Sequence, residues 1–590
     1  MSIKSIITQP IIALCARLTP PPKKPTDASL GDYSYTKKYI TWLIKREMEK
    51  ANITGLSIAL VDDQQIVWTE GFGYTDKQAN IKATSDTVYH VGSISKIFTA
   101  TAAMQLAEQS KLDIDQPLQK YLPEFSIKSR FGDTNKITPR NLMNHHSGLP
   151  CNWVHGMSER HPGPFTEVVT AVKNEYMVCP SDYVFAYSNL GMTLLGAAIA
   201  KVSGVEYAAH MDSHLLHPLG MTHSKFASVI PSKSYDKGTE IEGFPLRDLP
   251  TGGLNSSTSD IAHFMQMVFA DGKYNGRQLI EAESLREMFK VQNANVPLDF
   301  DFKMGLGWML STVDVPGAGT VANHGGSTLS FHSMLAVLPE HKLGVVVLSN
   351  SATAQGVVGK IATETLKLVL EAKCRISPPE KVVRKVKNFP LTEDDIRAYE
   401  GYFDTLVGLV KVSGKGGNIH AEIMGRKLEL MPREGNQFAV RFKLFGYVPL
   451  KIGALEELRL SLHEIDGHDV LTLTSNGKSM LIGEKLTPVV IPEHMLEYVG
   501  DYEIINKHDG PMPDSVKMLH EDGFLIGAIT FSQKPGFVLR VAFMPVADNE
   551  LVIAGLGPGK GDTQHLNKVG DDMYMSFAGF ELRKKPSKHG

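Results

Sequence analysis

The chain changes rhythm once. Up to about residue 370, apolar stretches of helical spacing alternate with short runs of strand character; from about Ser377 short alternating runs replace the helices. Residues 39–51 (Tyr-Ile-Thr-Trp-Leu-Ile and onward) predict a helix beginning near Tyr35. Residues 56–61 and 65–70 predict two strands joined at Asp62-Asp63, a hairpin by composition. The strand-like run 86–90 leads into an Ala/Leu/Met-rich helix expected from Ser93 to about Gln109, so a helix should pack on an antiparallel sheet there. Pro139 suits a helix first turn and Ser147-Gly148 a helix end. A further apolar helix is expected over 192–202, and strands over 334–338 and 343–348.

In the second half, Leu458, Leu460 and Leu462 alternate with polar residues, Asp466-Gly467 turns the chain, and 470–474 returns as a strand. An internal repeat appears when this half is folded on itself. Tyr399-Glu400-Gly401-Tyr402-Phe403 resembles Tyr498-Val499-Gly500-Asp501-Tyr502, and Met431-Pro432 with Phe438 resembles Met544-Pro545 with Leu551; Asn436 and Asn549 stand two residues before those apolar positions. The repeat predicts two related all-β antiparallel barrels, 391–488 and 489–590. The second copy is longer, with its excess near 506–513. Residues 1–30 read as a leader containing the proline-rich stretch 20–25, residues 31–376 as the first domain, and 377–390 as a polar linker.

Composition narrows the function. With 590 residues, 42% hydrophobic, 21% charged and a formal net charge of -3, the chain is an ordinary globular one, and no basic excess points to nucleic acid. Four scattered cysteines, Cys15, Cys151, Cys179 and Cys374, give neither a disulfide framework nor a zinc site. No apolar run approaches the roughly 20 residues of a membrane span. The interrupted apolar run 6–14 lacks a clean cleavage site, which favours a cytoplasmic chain and leaves export open.

Three motifs carry chemistry. Ser93 and Lys96, three apart at the start of the central helix, share one face, where a lysine can take the serine's proton or lower the pKa of a second base. The same spacing recurs at Ser34, Ser234 and Ser475, and an N-cap is the competing reading of Ser93. Tyr187-x-Asn189 lies where a loop enters a helix. The phenol serves as a base only beside cations such as Lys96, and Asn189 can accept from Lys96 while donating to a substrate carbonyl. His324-Gly325-Gly326-Ser327 lies on an edge strand that a ligand can approach closely, so the backbone N–H groups of Ser93 and Ser327 can face one oxyanion. A capping asparagine and a tight hairpin are the competing readings. His145-His146 has no partner at ligand spacing and reads as packing, and the polar tip His463, Glu464, Asp466, His468 as a solvated hairpin end.

In this order the motifs resemble the serine β-lactamase and penicillin-binding-protein superfamily, in particular its class C-like branch, over roughly residues 35–370. Phrases at 215–221 and 252–260 look like that branch too. The resemblance implies a β-lactamase/transpeptidase-like α+β domain ahead of the two lipocalin-like barrels, and a serine hydrolase that forms an acyl-enzyme. Ser93, Lys96 and Tyr187 would be catalytic, with Asn189, His324, Gly325 and Gly326 binding substrate. Where the superfamily usually has lysine, this chain has His324, mostly neutral at pH 7, which argues against an efficient lactamase. That departure and the two barrels look like the D-aminopeptidase group, in which a loop of the last barrel meets the substrate's amino group; Asp509 or Asp562 is the expected counterpart. The expected substrate is a small peptide or ester, without metal or organic cofactor, and a homodimer stays open. Carboxylesterase, acyltransferase or weak lactamase, and a sensor that acylates without turnover, are the alternatives.

Overall fold

A computed structural model describes residues 19–27, 29–377, 389–415, 418–423, 426–435, 437–444, 448–450, 458–532 and 538–586. Most of the expected leader, the greater part of the linker and Asn436 lie outside the described residues.

The first domain is built on one antiparallel sheet. Its strands are β1 (Gly55–Asp62), β2 (Gln65–Asp76), β3 (Ile81–Lys82), β4 (Ala322–Ser327), β5 (His332–Leu338) and β6 (Leu343–Ser349), in the order β4-β5-β6-β1-β2-β3. β1 and β6 are buried on both faces, so they read as continuous apolar runs rather than as alternating ones. Alternate residues divide between two cores. Leu56, Ile58, Leu60, Val345 and Val347 meet helices α1 (Ser34–Ala51) and α5 (Val357–Cys374), whereas Ala59, Val61, Val346 and Leu348 face a helical layer on the other side.

That layer holds α2 (Ser95–Glu108), α3 (Asn189–Ser203) and α4 (Thr258–Phe269). α2 is buried on every side from Ser95 to Leu106, as expected of a helix apolar all round, and Phe98 packs on Phe264 of α4 with ring centroids 4.4 Å apart. The sequence expectation is corrected at its start: Ser93 lies in a 3-10 turn, Gly92–Ile94, and the α-helix begins at Ser95. The tighter turn is held by Ser95 Oγ, which donates to Gly92 O at 2.7 Å and accepts from Leu254 N at 3.0 Å, so Ser93 is not a cap. A second correction concerns Pro139: its helix ends at Met143, ahead of Ser147-Gly148, because His145 takes the left-handed region at φ 62°.

Both following domains are closed antiparallel barrels of eight strands. Each opens with a short helix and a glycine of positive φ, Gly401 and Gly500, leading into strands Gly401–Thr405 and Gly500–Ile504. The repeat is structural: Pro432 pairs with Phe438 in the first barrel and Pro545 with Leu551 in the second. The Asp466-Gly467 turn joins Ile465 to His468 as expected. Between the first two strands of each barrel the first copy turns at Leu406-Val407, while the second runs out over 505–514, where the excess was expected.

The barrels dock on the first domain through specific polar contacts. Arg130 pairs with Glu550 at 2.6 Å and donates to Thr563 Oγ1 at 3.0 Å, and the N–H groups of Val154 and His155 donate to Ala578 O. The loop 555–562 of the second barrel is tied to the first by a Lys560–Asp404 ion pair, and Lys560 also donates to Thr405 O at 3.0 Å.

β4 approaches the Gly92–Ile94 turn so closely that a Cβ on Gly326 would lie 1.9 Å from Val91 O and 2.2 Å from Ser333 Oγ; on Gly325 it would meet Met334 Cε at an ordinary 3.5 Å. Gly326→Ala is expected to destabilise the domain by about 1–3 kcal/mol in urea melts, and Gly325→Ala by less than about 1 kcal/mol. Equal costs would contradict this packing.

Candidate active site

The turn, the start of α3 and β4 bring the three motifs together. Ser93 Oγ accepts from Lys96 Nζ at 3.1 Å and from the Tyr187 hydroxyl at 2.9 Å. Lys96 is fully buried, and its Nζ lies 4.9 Å from the centre of the Tyr187 ring. Desolvation pulls its pKa down to about 7; Cys151 and Asp248 offset part of this, Asp248 being paired with Arg247 at 2.7 Å. Burial pushes the Tyr187 phenol well above its ordinary value, and the Ser93 hydrogen bond opposes this. The arrangement therefore combines a lysine near the balance of amine and ammonium with a neutral phenol, both on one serine oxygen.

Asn189 corrects the sequence reading. Its Oδ1 accepts from Thr251 Oγ1 at 2.7 Å and its Nδ2 donates to Asn152 Oδ1 at 2.8 Å, while Lys96 Nζ donates to the Thr251 carbonyl at 2.8 Å. Thr251 thus stands between the two residues expected to touch. One amide hydrogen of Asn189 is left for a substrate. Asn189 is the first residue of α3, and its cap is Ser188, whose Oγ accepts from Gly191 N at 2.9 Å.

Gly92, at φ 56°, is where α2's leading turn and β4 meet: a Cβ there would lie 2.9 Å from Ser327 N. Ser93 and Ser327 therefore bring their backbones to one side of a cavity of about 290 Å³, whose wall includes Asn189, Thr251, Met157 and Phe331. His324 is buried, its Nδ1 is 2.7 Å from Gly325 O, and its Nε2 has no partner among the described residues. Burial, then Lys96, lowers its pKa to about 3, so it is neutral at pH 7 and supplies no cation for a carboxylate.

His145 and His146 serve packing around Tyr187. The His145 ring lies against Tyr187 with centroids 4.3 Å apart and accepts from Ser188 N at 3.2 Å; His146 Nε2 meets Asp299 Oδ2 at 2.7 Å, and Asp299 Oδ1 accepts from Phe185 N at 2.7 Å. Both loops of the last barrel reach the catalytic domain, by different routes. Asp509 is an exposed acceptor for Arg160 N at 2.9 Å, on the outer side of the segment that contributes Met157 and Ser158 to the cavity wall. Asp562 faces Cys151 and takes a hydrogen bond from its backbone, while Cys151 O accepts from Asn189 N at 2.8 Å. Asp562 Oδ1 is sealed from solvent without a partner among the described residues, and burial, with Glu175 nearby, raises its pKa to about 7.

Thr251, Asn152 and the His145–Tyr187 stack were not read from the sequence. Thr251 directly precedes the phrase at 252–260, which gave it a signal; Asn152 and the stack had none.

Residues 41–368 match the Beta-lactamase family. The chain is 26% identical over 327 residues to Protein flp of Staphylococcus aureus (strain COL), covering 53% of this chain and 63% of flp, so it spans less than two thirds of that relative's length. In fold it is similar to the octameric penicillin-binding protein homologue from Pyrococcus abyssi, with a TM-score of 0.50 and 24% identity over 75% of this chain and 99% of that one. It is likewise similar to SurE, with a TM-score of 0.56 and 20% identity over 76% and 98%. Because the matched segment covers more than half of its length, the chain belongs to the Beta-lactamase family, whose members are typically serine hydrolases.

Proposed function

We propose that this protein is a serine hydrolase that transfers an acyl group through a covalent intermediate on Ser93. The reading is carried by one observation, a serine oxygen within 3.1 Å of the Lys96 amine and 2.9 Å of the Tyr187 hydroxyl. Lys96 in its neutral form takes the Ser93 proton as Oγ attacks the carbonyl carbon; Tyr187 gives its proton to the leaving group and is restored by the proton held on Lys96, so that both groups end neutral. The backbone N–H groups of Ser93 and Ser327 hold the oxyanion, a contribution of about 3 kcal/mol per donor in comparable sites. Asn189 offers its remaining amide hydrogen to the substrate. Water then releases the acyl group by the same groups in reverse.

The substrate class we favour is a small peptide with a free amino terminus, in the manner of a D-aminopeptidase. Neutral His324 leaves a substrate carboxylate without a cation, which disfavours efficient lactam hydrolysis, and Asp562 beside Cys151 supplies an acid for an amino group. Asp509, already bonded to Arg160 N, is the weaker candidate. Phe244, Leu246 and Phe331 in the cavity wall favour a second reading, carboxylesterase or acyltransferase.

Initial rates on D-alanine p-nitroanilide and p-nitrophenyl butyrate separate these. Ser93→Ala is expected to lower either turnover by at least about 10³-fold; near-normal rates in that variant would remove the mechanism. Anilide cleavage supports the peptidase, and ester cleavage alone supports the second reading. A stable adduct without turnover would instead mark a sensor.

The pH dependence follows from Lys96. Its base form accumulates as pH rises, so kcat/KM is expected to climb through a midpoint near pH 7. A profile flat from pH 5.5 to 8.5 would show that Lys96 is not the group that titrates.

A further inference from the structure

Eight strands enclose a lumen just wide enough for side chains to fill it or for one small ligand. The second barrel leaves its lumen open: a cavity of about 370 Å³ is walled by side chains such as Ile529, Val541, Met575 and Phe577, and closed at one end by Cys151, Asn152 and Val154 of the catalytic domain. Protein interiors are normally packed to crystal density, and an apolar cavity of about 150 Å³ already takes up a benzene-sized guest. The first barrel also holds a cavity, about 250 Å³, but its wall is apolar apart from Thr405 and Tyr399, whose hydroxyl already accepts from Leu462 N.

What distinguishes the second lumen is its mouth. Asn152 lies there with its Oδ1 given to Asn189 and its Nδ2 directed at Cys151 Sγ, 3.1 Å away; Lys560 is bound to Asp404; Gln564 Nε2 donates to Ser576 O at 2.8 Å. Asp562 Oδ1 is the exception, a sealed acceptor on the cavity wall with no partner among the described residues. A guest that satisfies it must bring an O–H or N–H, and the rest of the guest must be apolar and narrow. We infer that the second barrel is a binding chamber for an unbranched aliphatic chain ending in a hydrogen-bond-donating head, an alcohol or an amine, with the head at Asp562 and the chain along the lumen. Above about pH 7 a carboxylate head is disfavoured because it would face the ionised Asp562, and the cations of the wall are engaged: Lys560 with Asp404, Lys517 with Asp501 and Arg540 with Glu521. Asn152 is shared between this mouth and the Asn189 amide, so the chamber ends one hydrogen bond away from the candidate active site. The inference stands on the lumen and its mouth; it gives Asp562, which lines this chamber and not the Ser93 cavity, to the head of the guest in place of a substrate amine, so the two assignments of that carboxyl exclude each other.

The test uses the full-length protein at pH 8.5, with the fluorescent probe N-phenyl-1-naphthylamine and its displacement by 1-decanol, decylamine and decanoate. Uptake by the wild type, with decanol or decylamine at least about 10-fold more effective than decanoate, is expected, and each added CH₂ from hexanol to decanol should tighten binding by about fourfold. Tighter binding of decylamine than of decanol identifies a cationic head, and the reverse a neutral one. Val541→Trp, which fills the lumen, should abolish uptake, with folding checked by a thermal melt; Ile529→Trp serves the same purpose if that variant does not fold. Asp562→Asn should bring decanol and decanoate within about threefold of each other. No uptake, unchanged uptake in a folded lumen-filling variant, or equal displacement by decanoate would overturn the inference.

Discussion

The structure turns on an amine sealed from water beside a serine. Lys96 is fully buried in a helix enclosed from Ser95 to Leu106, and with no anion in direct contact among the described residues desolvation draws its pKa to about 7. Between about pH 7 and its ordinary value of 10.5 the folded protein binds fewer protons at this site than the unfolded chain does. Stability tied to this group therefore rises with pH across that window, and at neutral pH the fold carries the cost of holding the lysine dry. Much of the surrounding architecture serves that burial. Gly326 lets β4 close over the leading turn of α2, Thr251 meets Nζ through its carbonyl, and the His145 ring backs Tyr187 from behind.

The barrels belong to the same arrangement. Asp404 of the first barrel holds Lys560 of the second, and the loop so fixed runs under the segment bearing Tyr187: Leu556 packs with Val184 and Ala186, and a Cβ on Gly561 would strike Val178 O at 2.5 Å. Asp562, one residue on, faces Cys151. The loop is thus held from three domains at once, which explains how a segment nearly four hundred residues from Asn189 in the chain comes to lie two contacts from it.

Much of this was legible in the sequence, because local chemistry wrote it there. Ser93 and Lys96 are one helical turn apart, the proline–apolar pairs of the two barrels fall at the same hairpin position, and the Asp466-Gly467 turn needs only its own two residues. What was missed depends on partners distant in sequence. Thr251 displaces the direct Lys96–Asn189 contact because a one-turn helix at Leu249–Gly252 packs between α2 and α3, where a Cβ on Gly196 would strike Pro250 Cγ at 2.0 Å. The helix start slipped from Ser93 to Ser95 because Ser95 Oγ is claimed by Gly92 O and Leu254 N, the latter a tertiary bond that no local pattern encodes. Asp509 and Asp562 are alike in a glycine-rich context; only the docking surface separates an exposed acceptor on Arg160 from a sealed one beside Cys151.

The central claim is that Lys96 is poised to accept a proton at neutral pH, and its titration can be watched directly. In protein labelled with [ε-¹³C]lysine, one resonance, absent from Lys96→Arg, should shift with a midpoint near pH 7. A Lys96 resonance that stays in its ammonium position until above pH 10 would contradict the account, since the amine would then be unable to take the Ser93 proton.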